Sequence, residues 1–290
     1  MKAGKNNALK TELAADACIK PLPIGEYPLV MGVLNVTPDS FSDGGKFLEI
    51  NKAVDRALLM AEQGADIIDI GGESTRPGAR QVSVAEEIDR IQPVLERLQG
   101  KHDKFISIDT RKSEVAEIAC KYGAGIVNDV SALRHDEKIA LIAKSHNTYL
   151  VLMHMLRTPE TMQVDIHYDD LVGDISDFLM KSADLAISYG IEKNKLILDP
   201  GIGFGKTVEH NFSLLKNIPR FKKLGYPLLI GASRKSFIGK TLNLTVEDRL
   251  EGSLATAVFA IINGADIVRV HDVLATVRAI KIIEEIRRSN

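Results

Sequence analysis

The chain has 290 residues, 45% of them hydrophobic and 26% charged, with a formal net charge of −2. That is enough apolar material for one sizeable core, and the near-neutral balance argues against a nucleic-acid or anionic-membrane partner, which would demand a basic face. The cysteines, Cys18 and Cys120, are too few for a disulfide framework and fit a reducing cytoplasm, and no apolar run reaches membrane-spanning length.

Residues 1–24 begin with positive charge but lack a continuous apolar stretch, so they read as a loosely ordered extension and not as a signal peptide. The remainder, 25–290, reads as one domain. Short apolar runs rich in β-branched residues, at 29–34, 66–70, 105–108, 125–128, 148–153, 195–198, 227–230 and 266–270, predict strands. Their continuous apolar character suits parallel strands covered on both faces. Amphipathic stretches lie between them, among them 52–63, 84–98, 113–122, 170–189 and 247–263, and Ser113 followed by Glu114 reads as a helix cap with an early acid. Eight strand–helix units predict a single (β/α)8 TIM barrel, with its active site at the C-terminal ends of the strands. A doubly wound sheet would carry a glycine fingerprint after the first strand, which Asn35-Val36-Thr37-Pro38-Asp39-Ser40 is not.

The predicted strands end in polar groups: Asn35; Asp69 with Glu73 and Arg76; Asp109; Asn128 and Asp129; His154; Asp199; Ser233-Arg234-Lys235; Arg269 and His271. Any one of these can be a helix cap, but a full ring converging on one mouth describes a small-molecule site. Arg269 and His271 alternate about Val270 and leave one face of the last strand, so with Asn35 and Arg76 they can surround a phosphate or diphosphate. A structural ion pair of Arg269 with a carboxylate such as Asp199 is the competing reading. The loop at 35–45, holding Thr37, Asp39, Ser40 and Phe41, reads as a lid or as a loop stapled to the rim by Phe41. In Gly201-Ile202-Gly203-Phe204-Gly205-Lys206 the glycines let backbone approach a flat ligand, with Phe204 as a stacking face, and the Walker spacing is absent.

From Leu29 onward the chain resembles the dihydropteroate synthase family. The resemblance rests on the 35–45 loop, Gly71-Gly72-Glu73-Ser74-Thr75-Arg76-Pro77-Gly78, Ser107-Ile108-Asp109-Thr110, Val127-Asn128-Asp129, Leu152-Met153-His154-Met155, Asp199-Pro200-Gly201, Ser233-Arg234-Lys235-Ser236 and Arg269-Val270-His271-Asp272. It implies condensation of (7,8-dihydropterin-6-yl)methyl diphosphate with 4-aminobenzoate, in which pyrophosphate departs before the amine attacks. Carried over by position, Asp109, Asn128, Met153, Asp199, Phe204 and Lys235 would bind the pterin. Asn35, Arg76, Arg269 and His271 would take the diphosphate, with Mg2+ near Asn35, and Thr75, Pro77, Phe41, Ser233 and Lys235 would shape the aminobenzoate site. Asp109, Lys235, Arg269 and Asn35 would carry the catalysis, and a homodimer through the later helices is implied. Leu156 and Arg157 depart from the family, whose members more often have Gln or Arg and then Gly, which puts the conformation of that loop in question. A pterin-dependent methyltransferase would share the pterin floor but not both the 35–45 loop and Ser233-Arg234-Lys235.

Overall fold

The structure, a computed structural model, describes residues 20–37, 46–75 and 78–289. Cys18, Asp39, Ser40, Phe41, Arg76 and Pro77 lie outside the described residues, and with them most of the lid expected at 35–45. In chain order the elements are β1 (Leu29–Asn35), α1 (Lys46–Glu62), β2 (Ile67–Gly71), α2 (Val84–Leu98), β3 (Phe105–Asp109) and α3 (Ser113–Lys121). Next come β4 (Ile126–Asp129), α4 (Lys138–Ser145), β5 (Tyr149–Met153), α5 (Leu171–Ser188), β6 (Leu196–Asp199), α6 (Val208–Lys216) and α7 (Ile218–Lys222). The chain ends with β7 (Leu229–Ile230), α8 (Ser236–Leu242), α9 (Leu250–Ile262), β8 (Ile267–Val270) and α10 (Val273–Arg288).

The strands pair in parallel in the order β6-β5-β4-β3-β2-β1-β8-β7. A parallel bridge between Leu198 and Leu228 joins the two ends, with the Leu198 amide donating to the Pro227 carbonyl at 2.9 Å. The result is the closed barrel that the eight apolar runs predict, with strand bounds within two residues of the expected ones.

Side chains alternate along each strand, which sorts them into two cores. Val30, Leu34, Ile68, Ile70, Ile108, Val127, Leu150, Leu152, Val268 and Val270 point outward and pack against the helices. Leu29, Met31, Ile67, Ile126, Tyr149, Val151, Ile197, Leu229 and Ile267 point inward and fill the N-terminal half of the barrel. Leu22, from the segment assigned to the extension, is buried in this inner core, and its amide donates to the Tyr149 hydroxyl at 3.0 Å. Each buried Leu or Ile contributes roughly 1.5–3 kcal/mol, so the apolar lower half is what allows the upper half to be polar.

The same two-residue period dictates the mouth. Continuing upward from the inward apolar layer gives Asp69, Ser107, Asp109, Asn128, Met153, Asp199 and Arg269. One local expectation fails. Ser113 is the first residue of α3, not its cap; Lys112 stands at the N-cap, and the Ser113 amide is satisfied by the Asp136 carboxylate at 2.9 Å. An acid from the next βα loop replaces the local cap, which no short-range pattern encodes.

Candidate active site

Arg269, on β8, lies across the floor of the mouth. Its Nε donates to Asp69 Oδ2 at 2.6 Å and its Nη2 to Asp109 Oδ2 at 2.8 Å. Asn128 Nδ2 donates to the same Asp69 oxygen at 3.1 Å. The pair with Asp199 is replaced by these because β8 adjoins β1 and then β2 on this side of the barrel, which brings Asp69 and Asp109 under the guanidinium. Burial pushes the Asp109 carboxyl up to about 7, although the Arg269 charge pulls it down; Asp69 adds to the rise. Burial opposes the Arg269 charge, yet the two carboxylates hold its pKa above the ordinary arginine value. One oxygen on each acid, Asp69 Oδ1 and Asp109 Oδ1, is buried without a hydrogen-bond partner. Such orphan acceptors are costly and are characteristic of a site awaiting donors from a ligand.

The facing wall is built by β5, β6 and the loop after β7. Asp199 is buried, which raises its pKa against the pull of Lys235, and its Oδ1 accepts the Gly201 amide at 2.7 Å. The Lys235 ammonium donates to the Ile202 carbonyl and lies 4.4 Å from the centre of the Phe204 ring. Burial pushes Lys235 down to about 7, with Asp199 pulling it back up. Phe204 packs on a small cluster of Met153, Met155, Met162 and Val130, an apolar shelf beside the charged floor. Two glycines make this approach possible. Gly201 has φ +70°, and a Cβ there would stand 1.8 Å from the His154 carbonyl; at Gly203, φ +84°, a Cβ would stand 2.8 Å from Lys235 Cδ. His154 is kept neutral: burial, helped by the nearby Lys206, drives its pKa down to about 2. Its Nδ1 lies 2.8 Å from Lys206 Nζ, fixing the glycine loop to the end of β5.

The third wall lies over β1 and β8. Ser233 is buried, accepts the His271 amide at 3.2 Å and stands 3.1 Å from His271 Nδ1. Arg234, with φ +56°, holds this turn by a two-pronged pair to Asp272 at 2.8 and 2.7 Å, and so directs Ser233 and Lys235. Asn35 is half-buried and lines a cavity of about 570 Å³ with Lys52, Asp55, Arg56 and His271. Thr37 and Thr75 are half-buried, in the stretches that follow β1 and β2.

The described structure therefore gathers Asp109, Asn128, Met153, Asp199, Phe204, Lys235 and Arg269 at the barrel mouth, with Ser233 and His271 bonded to each other on the adjoining wall and Asn35 and His271 lining the cavity. Asp69 appears among the polar strand ends but receives no role from sequence; its signal is the shared phase with Ile67 and Gly71 on an inward face. Arg56, whose Nη2 donates to the His271 carbonyl at 3.1 Å, gives no signal in sequence because it sits on an ordinary amphipathic helix. At the departure from the family, Arg157 adopts φ +60°, a conformation that glycine takes without strain, and its Nη1 binds the Val164 carbonyl at 2.5 Å.

A closed barrel with carboxylates, an amide, an ammonium and an aromatic face at its mouth defines an enzyme built to hold a flat, polar heterocycle. The family described as pterin binding enzyme matches residues 31–271. A dihydropteroate synthase of Synechocystis is 47% identical over 276 residues, spanning 92% of this chain and 96% of the relative. The dihydropteroate synthase of Clostridium difficile, crystallised in the presence of pteroic acid, superposes with a TM-score of 0.87 at 46% identity, covering 92% of this chain and 100% of the other. That of Xanthomonas albilineans in complex with 7,8-dihydropteroate gives 0.82 at 41% identity, covering 91% and 95%. The chain belongs to the dihydropteroate synthase family of pterin-binding enzymes.

Proposed function

We propose that this protein condenses (7,8-dihydropterin-6-yl)methyl diphosphate with 4-aminobenzoate, releasing pyrophosphate and forming 7,8-dihydropteroate in folate biosynthesis. The observation that carries the reading is the floor at the barrel mouth, where buried Asp109, Asn128 and Asp199 meet the ammonium of Lys235. A pterin edge offers ring and amino N–H donors to the carboxylates and acceptors to the amide and ammonium. Phe204 and Met153 supply the apolar faces.

In this reading the methylene C–O bond breaks first, and its electron pair leaves with the diphosphate. The cation left on the methylene is spread over the pterin ring, and the buried carboxylates Asp109 and Asp199 stabilise it in a medium of low dielectric. The 4-aminobenzoate nitrogen then donates its lone pair to the methylene carbon, and the resulting ammonium loses a proton. Thr75, Pro77, Phe41, Ser233 and Lys235 would hold the aminobenzoate. Asn35, Arg76, Arg269 and His271 would hold the diphosphate, for which Arg269 would exchange part of its pairing with Asp69 and Asp109.

Mg2+ belongs to the proposal. Among the described residues no cluster of three or more His, Cys, Asp or Glu can hold a metal ion. The donor set suits an ion carried in on the substrate, with the Asn35 amide oxygen as the protein ligand and phosphate and water oxygens completing the shell. When bound, the ion would neutralise charge on the leaving group.

A homodimer is proposed on the exposed apolar side chains of α9 and α10, where Phe259, Ile262, Ile282 and Ile286 are 44%, 54%, 63% and 63% exposed. A second copy would cover them. A cytoplasmic setting is proposed on cysteine chemistry: Cys120 is a free, buried thiol whose pKa burial pushes up to about 12. No described helix is long and apolar enough to cross a membrane. The test is incubation with the pterin diphosphate, 4-aminobenzoate and Mg2+, followed for pyrophosphate and dihydropteroate. Failure to form the carbon–nitrogen bond would refute the activity, and indifference to a chelator would refute the metal.

A further inference from the structure

Glu73, Glu87, Arg111 and Lys112 form a cluster of four charges in which every side chain is at least 89% buried, beside the mouth but outside the floor. Its formal charge is zero. Lys112 spends all three ammonium protons: on Glu87 Oε2 at 2.6 Å, the Val82 carbonyl at 2.8 Å and Glu73 Oε2 at 3.2 Å. The other Glu73 oxygen accepts the Val82 amide at 3.2 Å, and Arg111 Nη2 reaches Glu73 Oε2 at 3.4 Å. Arg90, from α2, adds a bond to the Gly72 carbonyl at 2.8 Å.

The arrangement has a direction. Glu73 and Val82 are the two ends of the loop of residues 74–81, and both are fastened to the same ammonium. Lys112 lies three residues beyond Asp109, on the turn that leaves β3. The loop that follows β2 is thus fixed to the strand end that carries the pterin-binding acid. Four buried charges are costly to hold for stability alone, because an apolar cluster of similar volume serves equally well or better. What they add is position, since each bond has one geometry.

We propose that Lys112 and Glu73 are positioning residues for the amine substrate: they fix the described ends of the loop after β2, Glu73 with the adjoining Thr75 on one side and Val82 on the other, against the β3 end. The inference rests on the function proposed above, in which that loop holds 4-aminobenzoate. It assigns neither residue a contact with substrate. Loosening the clamp therefore degrades amine binding and leaves binding of the pterin ring largely intact, while the diphosphate, which Arg76 on the same loop would hold, is weakened with the amine.

The test uses the full-length protein with Lys112→Met and Glu73→Gln. The glutamine keeps an acceptor for the Val82 amide and removes the charge facing Lys112, so it stands in if the methionine variant does not fold. KM for 4-aminobenzoate is expected to rise by about tenfold or more, as befits a misplacement near 1 Å, while the Kd of a pterin lacking the diphosphate, which Arg76 on the same loop would not touch, stays within about twofold. Amide hydrogen exchange at residues 74–82 is expected to quicken in the free protein, with β3 and α3 unchanged. Unchanged exchange of the loop, an unchanged amine KM, or equal loss of the amine and of the diphosphate-free pterin would each overturn the proposal. If the unsubstituted protein forms no dihydropteroate, the functional reading fails, and the clamp then stands or falls on exchange alone.

Discussion

Replacing Arg269 by methionine removes the cation that joins two buried acids. The guanidinium makes two charge-assisted bonds, 2.6 Å to Asp69 and 2.8 Å to Asp109, and the Asp69 side chain has no exposure at all. Stripping one partner from a buried ion pair costs about 3–5 kcal/mol, mainly because the remaining charge is left unpaired. The loss should depend on pH in a direction set by Asp109. Its folded pKa is raised to about 7, so the native state holds a proton that the unfolded chain has released. Below that value the carboxyl is protonated with or without Arg269, and removal of the arginine costs less. Above it the normal protein gains by ionising beside the guanidinium, whereas the variant, whose Asp109 pKa rises further, does not. Between about pH 5.5 and pH 8.5 the deficit should widen by about 2 kcal/mol, from one and a half units above 7 at about 1.4 kcal/mol each. Urea unfolding at both pH values measures it. An equal loss at the two pH values would refute the coupling, and a loss under about 1 kcal/mol would show the pair to be no brace for the floor.

Asp109→Asn should leave the fold intact by circular dichroism and lower turnover by about a hundredfold or more, as the proposed cation loses one of the two buried carboxylates that would stabilise it. His154, driven to about 2, should show no imidazole titration between pH 5 and 8 by nuclear magnetic resonance. Because its folded pKa is depressed, the unfolded chain alone takes up this proton, so stability should fall on acidification below 6.5 by about 1.4 kcal/mol per unit. A midpoint near the ordinary value would mean that the imidazole is not buried in solution. Gly203→Ala should cost about 1–2 kcal/mol through its left-handed backbone and raise KM for the pterin by displacing Lys235; wild-type kinetics would break the link between that glycine and the lysine. Ile282→Glu with Ile286→Glu should shift the protein from dimer to monomer in light scattering, and an unchanged mass would remove α10 from the interface.

The barrel was legible because its strands are apolar on both faces and its helices are amphipathic, two periods that survive in any one chain. The short β7, Leu229–Ile230, falls inside the apolar run read at 227–230 and starts two residues later than that run. Floor residues such as Asp109, Asn128 and Asp199 stood out as polar groups closing apolar runs. What local patterns could not carry was pairing. Arg269 finds Asp69, 200 positions away, only when β8 closes beside β1. The same holds for Asp136 at the start of α3 and for Lys112 between Glu73 and Glu87, where the partner comes from another βα unit. The role of Thr75 came from family resemblance alone, since a hydroxyl in a loop carries no distinguishing period.

Four of the proposed pterin-facing residues stand on strands in direct register, Asp109 beside Asn128 and Met153 beside Asp199, while the proposed amine-facing Thr75 stands on a loop. That division sets unequal evolutionary freedom across a single pocket. A substitution on the strand side disturbs the barrel ladder as well as the ligand, so few changes there leave a working protein. On the loop side a side chain can be exchanged while the ladder beneath it stays whole. An inhibitor that occupies the strand side would thus meet a slowly changing surface, and one confined to the loop side a surface with room to escape it.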